Sequence, residues 1–338
     1  MKRGMTAVIP VIILLLVCCI SGAGWGEEVQ KTFEGIKEIE INTVSGDCII
    51  KTHRSDEVIV DLFYDVEPKG AFKYKIKESG KTLLIKERWG PGSSQGEVTW
   101  TLTVPAETEI EFSSASGDLT ASGLTKAIET STASGDIDIE DFKGEMEIAA
   151  ASGDIDVRNA HGEIEISTAS GDIKIRKSGG EIELNTASGE IDAVDISDEI
   201  DLNTASGDIE VSDSKGVFEL NCASGSITAK GITIEGMSGF STASGEVEII
   251  LAETSEYDLE LSSASGDVCL DYNGNPVKGF FEFTARKRRG RISCPFDFDD
   301  EEEFDENGHT YVRKSFSRKG DTPTIYLSTA SGKAQLKK

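Results

Sequence analysis

A carboxylate returns at one fixed interval through the middle of this chain, at Asp118, Asp136, Asp154, Asp172, Glu190 and Asp208, each directly after a Ser-Gly pair. Stacked units would align these acids in a column one strand spacing, ~4.8 Å, apart, where neighbouring charges repel by ~0.9 kcal/mol even in bulk water. Calcium, which takes several oxygen ligands, is the cation such a column would attract. The competing reading is that each carboxylate accepts bonds from its own turn and faces solvent. The calcium roll of nine-residue repeats needs Gly-Gly-x-Gly-x-Asp in each half-coil, whereas this chain has one acid per corner and a Gly-Gly only at Gly179-Gly180. The structural reading is preferred, and no metal ligand is assigned.

Other reactive types give less. The acidic run Asp297, Asp299, Asp300, Glu301, Glu302, Glu303, Asp305, Glu306 lacks the sixth-place Gly of an EF-hand and has Gly308 where the twelfth-place Glu belongs. It is read as a solvated loop folded over the basic run Arg286, Lys287, Arg288, Arg289 and Arg291, which could otherwise grip an anionic polymer or lipid headgroup. Of three histidines (His53, His161, His309), His161 occupies a repeat corner that elsewhere holds Lys143 or Gly179, so it is read as an exposed corner residue. No Gly-x-Ser-x-Gly elbow is present, and the repeated serines are turn residues. No catalytic residue and no cofactor are assigned.

The elements that carry these residues follow from the repeat. Ala-Ser-Gly-Asp/Glu places its serine at Ser116, Ser134, Ser152, Ser170, Ser188, Ser206 and Ser224, with looser copies at Ser244 and Ser265, a forerunner at Val44-Ser45-Gly46-Asp47 and a closing Ser331-Gly332-Lys333. A short fixed period of this kind marks a chain that stacks one small unit on the next. Each unit holds two runs of period two, such as Ile155 and Val157, then Ile164 and Ile166, alternating with charged residues. That alternation predicts half-buried strands. Two glycine corners separate them, Ser-Gly-Asp and the x-Gly at Gly144, Gly162, Gly180 and Gly216, where glycine can take φ > 0. A flat meander would leave one Ile/Val face naked, whereas coiling lets the apolar faces meet. The predicted fold is all-β, a parallel β-solenoid with 18-residue coils, two short strands per coil and β-rich caps at both ends.

The organisation expected is a signal peptide over 1–23, an N-terminal β cap and first coil over 24–112, the repeat array over 113–272, and a C-terminal cap with charged loop and final coil over 273–338. Lys2 and Arg3, the apolar run Val8 to Ile20 and Ser21-Gly22-Ala23 carry the leader reading. A retained anchor or lipidation at Cys18 or Cys19 is the alternative, and only then would the chain contact a membrane. Without the leader the chain has 32 Lys plus Arg against 61 Asp plus Glu, about −29, which repels nucleic acid and anionic membranes. Four cysteines remain, Cys48, Cys222, Cys269 and Cys294; if any pair forms it is Cys269 with Cys294, the competing reading being buried free thiols.

The early Ser-Gly-Asp coil, the lead-in Val104-Pro105, the runs of Thr-Ala-Ser-Gly-Asp-Ile and the final Tyr326-Leu327-Ser328-Thr329-Ala330-Ser331-Gly332 resemble the bacterial and archaeal "putative adhesin" β-strand-repeat family of unknown function. The resemblance covers nearly the whole mature chain and implies a β-solenoid outside the cytoplasm, with no catalytic residues to carry over. The function expected is a non-enzymatic, exported surface or envelope scaffold or adhesin-like module, acting on an unknown cell-surface or envelope partner. The alternatives are a calcium-dependent polysaccharide lyase or hydrolase, which would want aromatic sugar platforms, and an extracytoplasmic sensor.

Overall fold

A computed structural model describes residues 26–92 and 95–338; the leader and its cysteines lie outside them. The described residues contain strands and no helix. Through the regular 18-residue repeats the strands pair in parallel with their counterparts in the next repeat and keep one register: Ile137 faces Ile155, and Ile173, Ile191 and Ile209 follow in turn. The second run of each unit does the same, from Ile128 through Met146, Ile164 and Ile182 to Ile200. Side chains alternate, so one member of each pair of neighbours is buried and the other faces water. The result is the parallel β-solenoid, with a thin core of stacked Ile, Leu and Val between the two strand faces.

The corners differ from the sequence expectation in one respect. Glycines of the Ser-Gly-Asp corner, such as Gly135, Gly171 and Gly189, have ordinary φ; only Gly153 among the regular copies is left-handed. Their need is for space: a Cβ at Gly171 would overlap the carbonyl oxygen of Gly153 in the coil below. The x-Gly corner has both constraints, with φ of 125°, 134°, 116° and 147° at Gly144, Gly162, Gly180 and Gly216. A third corner was not foreseen. Asp141, Asn159, Lys177, Asp195 and Asp213, again one per repeat, all sit at φ between 51° and 56°. Asp and Asn are the residues that tolerate this region best, and the column turns the chain inward to bury Phe142, Ala160 and Ser178.

Both ends are closed by chain that leaves the array and folds back. At the N-terminal end Thr82–Trp89 and Gln95–Pro105 stack in parallel beneath Glu38–Asn42 and Asp47–His53. Antiparallel strands Glu57–Glu67, Glu27–Glu34 and Phe72–Ser79 then finish that edge. Buried Glu87 fixes the first corner by accepting from Trp100 Nε1 (2.7 Å) and from the amide of Val44 (2.8 Å). At the other end Thr324–Thr329 pairs with Leu259–Ser265 on one side and Gly279–Arg286 on the other. Antiparallel His309–Arg318 and Asp300–Glu306 complete the cover. From Asp300 to Glu306 the acidic run is thus the outermost strand of the sheet and not a loop, with Asp297 and Asp299 in the segment that leads into it.

Candidate binding face

The recurring carboxylates do form a column, and their partners lie one coil away rather than in their own turn. Oδ1 of Asp118 accepts the amide of Asp136 (2.9 Å), Asp136 that of Asp154 (2.9 Å), Asp154 that of Asp172 (3.0 Å), and Asp172 that of Glu190 (2.9 Å). Asp208 accepts Ser226 N at 2.7 Å. The longer Glu190 makes no such bond to Asp208. Its carboxyl is pushed above the usual range by burial and then by Glu210, Asp172, Asp208 and Asp192. One oxygen of each aspartate is therefore spent on joining coils. Inside the same corner runs a hydroxyl column: Thr132 Oγ1 accepts Gly135 N at 3.0 Å, while Thr204, Thr242 and Ser263 donate to the glycine carbonyl of the preceding corner at 3.3, 2.9 and 2.9 Å. Cys222 occupies a threonine place and its thiol donates to Gly207 O at 3.2 Å.

A second acidic column went unrecognised in the sequence. On the outer face of the second strand Glu40, Glu111, Glu129, Glu147, Glu165, Glu183, Asp201 and Glu219 stand in direct register. None of the eight makes an ion pair among the described residues. The other strand face is compensated: Arg158 spans Asp138 (3.4 Å) and Asp156 (2.7 Å), and Arg176 spans Asp156 (3.4 Å) and Asp192 (3.2 Å). Burial, then Glu40, Glu129 and Glu38, raise the Glu111 carboxyl, and its oxygens come within 4.8 Å of those of Glu38 and Glu40. Burial raises Asp201 as well, opposed by the bond from Asn203 Nδ2 (2.7 Å) and reinforced by Glu183 and Glu219. The signal was present, since Glu147, Glu165 and Glu183 hold one repeat position, but alternation alone explained them.

Beside this column runs an open groove of about 1270 Å³, extending from Ala149 to Ala330. Its floor is the Thr-Ala of most corners, with Ala149-Ala150, Cys222-Ala223 and Ser263-Ala264 in the others, and its wall is an amide ladder in which Asn203 Nδ2 donates to Asn185 Oδ1 (3.1 Å) and Asn221 Nδ2 to Asn203 Oδ1 (3.3 Å). Tyr311 and Glu306 of the C-terminal hairpin close one end, and Tyr311 is the sole aromatic lining it among the described residues. Such a surface offers hydrogen bonds to an extended polymer. Stacked aromatic platforms, which a polysaccharide-cleaving groove would want, are not among its described residues.

The remaining candidates are dispersed. His53 Nε2 bonds Glu57 O at 2.6 Å in the N-terminal cover, His309 Nδ1 meets Arg286 at 2.7 Å in the C-terminal one, and His161 is an exposed corner. The acidic strand pairs with Lys314 (Glu301, 2.8 Å), Arg313 (Glu302, 2.7 Å) and Lys287 (Glu303, 2.5 Å), so only Lys287 of the basic run is recruited. Cys269 and Cys294 are free thiols, as are Cys48 and Cys222, and form no disulfide with each other. Burial pushes all four thiols up, away from the reactive thiolate.

No curated protein matches the chain. Among solved structures, a "putative cell adhesion protein" from Clostridium sporogenes is similar at 10% identity over 93% of this chain and 99% of its own, with a TM-score of 0.20. The model of the Toastrack DUF4097 family matches residues 36–199 and 176–291, which together span the first coil and the repeat array. The chain belongs to the Toastrack DUF4097 family.

Proposed function

We propose that this chain is an exported, non-enzymatic β-solenoid that serves as a surface or envelope scaffold or adhesive module. The observation that carries the reading is the long open groove, largely alanine-lined with an asparagine amide ladder along it, beside an acidic column without ion-pair partners among the described residues, both set on one continuous stack. Repeat solenoids use such extended faces to hold partners. Export is supported by the leader pattern of residues 1–23, and the charge of about −29 works against a nucleic-acid partner. The test is retention of labelled residues 24–338 on intact envelope fragments from the producing cell. Saturable, salt-sensitive retention is expected; specific polysaccharide cleavage by the purified chain would sink the reading in favour of a lyase.

A further inference from the structure

Two coils break the regular step of the array. The interval between corner serines lengthens from Ser224 to Ser244, and again from Ser244 to Ser265. The register locates the additions. Gly216 pairs with Ile234, but Glu219 pairs with Gly239, so the first insertion enters at 235–237. Lys230 pairs with Ile250, and Ser238 with Leu259, which places the second at 252–257. Insertions in a solenoid gather on one face, commonly the binding face. These two lie side by side, and they carry side chains that the regular coils do not show to water.

Among the described residues, four of the five large apolar side chains that are exposed collect here: Val217, Met237 (77% exposed), Tyr257 and Tyr326 (43%). Met237 and Tyr326 wall a pocket of about 350 Å³ whose other polar groups include the carboxylates of Glu219, Asp258 and Glu260. Gly239 takes the place in the acidic column between Glu219 and Glu260, and Tyr326 takes the next. The missing side chain lets Glu219 lean inward: a Cβ at Gly239 would lie 2.7 Å from its Oε2. Glu219 also accepts Asn221 Nδ2 (3.2 Å), and Asp258 accepts Thr324 N (2.7 Å). Among the described residues Glu219 and Glu260 have no Lys or Arg partner, and no basic side chain lines the pocket.

We propose that this pocket receives the side chain of an arginine presented by an extended, basic segment of a partner protein. The proposal rests on the binding-module reading and names its ligand chemistry. A guanidinium offers planar donors to two carboxylates and stacks on an aromatic face. Its methylene stem matches the thioether of Met237 and the ring of Tyr326. A neutral apolar ligand would strip water from Glu219 and Glu260 without replacing it, and a neutral sugar would leave their charge unanswered. Further cations on the same segment would meet Asp201, Glu183 and Glu165 in succession, one strand spacing apart.

The methionines make the test direct, because Met237 is exposed while Met146 is buried in the core. The mature chain, residues 24–338, is labelled with ¹³C at methionine methyls and titrated with capped Gly-Ser-Arg-Ser-Gly peptide, its citrulline counterpart and cellohexaose. A saturable shift of the Met237 methyl by the arginine peptide is expected, with Met146 unmoved and about tenfold weaker binding of the citrulline peptide. Tyr326→Ala and Glu260→Gln, both at the surface, should each weaken the arginine response severalfold, while Glu78→Gln, on the exposed side of the N-terminal cover strand Phe72–Ser79, should leave it intact. No shift, an equal response to citrulline, or a response to cellohexaose alone would overturn the proposal. Envelope retention with a silent Met237 would remove this pocket and leave the binding module standing; a responsive Met237 without retention would do the reverse.

Discussion

At Gly171 the solenoid has no room for a methyl group, because the carbonyl oxygen of Gly153 already occupies that place. Gly171→Ala is expected to cost about 3 kcal/mol, the upper end of overpacking, read as a fall in the denaturant midpoint. The motif was legible as a corner, yet its reason was not: sequence suggested backbone freedom, and the structure shows close stacking. The aspartate that follows has the same history. Bonding to the next coil is invisible in a single repeat, since donor and acceptor belong to different copies. Glu190 is the exception that tests it. Glu190→Asp restores the consensus acid and should supply the missing bond to Asp208, raising stability by about 1 kcal/mol; no gain in a chemical melt would show the column contributes nothing to stacking.

At the scale of elements, the left-handed corner at 141, 159, 177, 195 and 213 holds one residue unsuited to it, Lys177 at φ 53°. Lys177→Asn should stabilise by roughly 0.5–1 kcal/mol, whereas the same change at Lys174, in a strand of ordinary backbone, should not. The acidic column of the second strand makes a pH prediction. The Glu111 carboxyl is raised in the fold, so the native state binds protons more readily than the unfolded chain and stability falls as pH rises above about 4.3, the unfolded value. Above the folded-state pKa the penalty is complete. Glu111→Gln should therefore lift the melting temperature by about 1–2 °C at pH 7 and by nothing near pH 4. Strands with Ile/Val alternation were readable because period two survives in every copy. The strand Asp300–Glu306 was not, since a single apolar residue, Phe304, interrupts its exposed acids and no alternation marks it off from a solvated run. Charge there suits an outermost edge, where it discourages pairing with another chain.

For the whole molecule, charge and topology decide behaviour together. A stack bearing about −29 should gain stability from any screening electrolyte. With one oxygen of most corner aspartates already bonded, millimolar calcium should raise the melt no more than magnesium at equal ionic strength. A calcium-specific rise of many degrees would reinstate the corners as ion sites. The stacking itself was deducible from the repeat, but the order of layers at the ends was not. Sequence order and spatial order part company there: residues 324–337 lie inside the stack, and residues 279–318, which precede them, lie outside. That inversion sets a timetable. A chain made from its N-terminus can add coils one by one, but Gly279–Arg286 has no parallel strand to join until Thr324–Thr329 has emerged. The growing edge at Leu259–Ser265 therefore stays open until Thr324–Thr329 is delivered, and closure of the rod reports that the cover and the strand beneath it have both arrived.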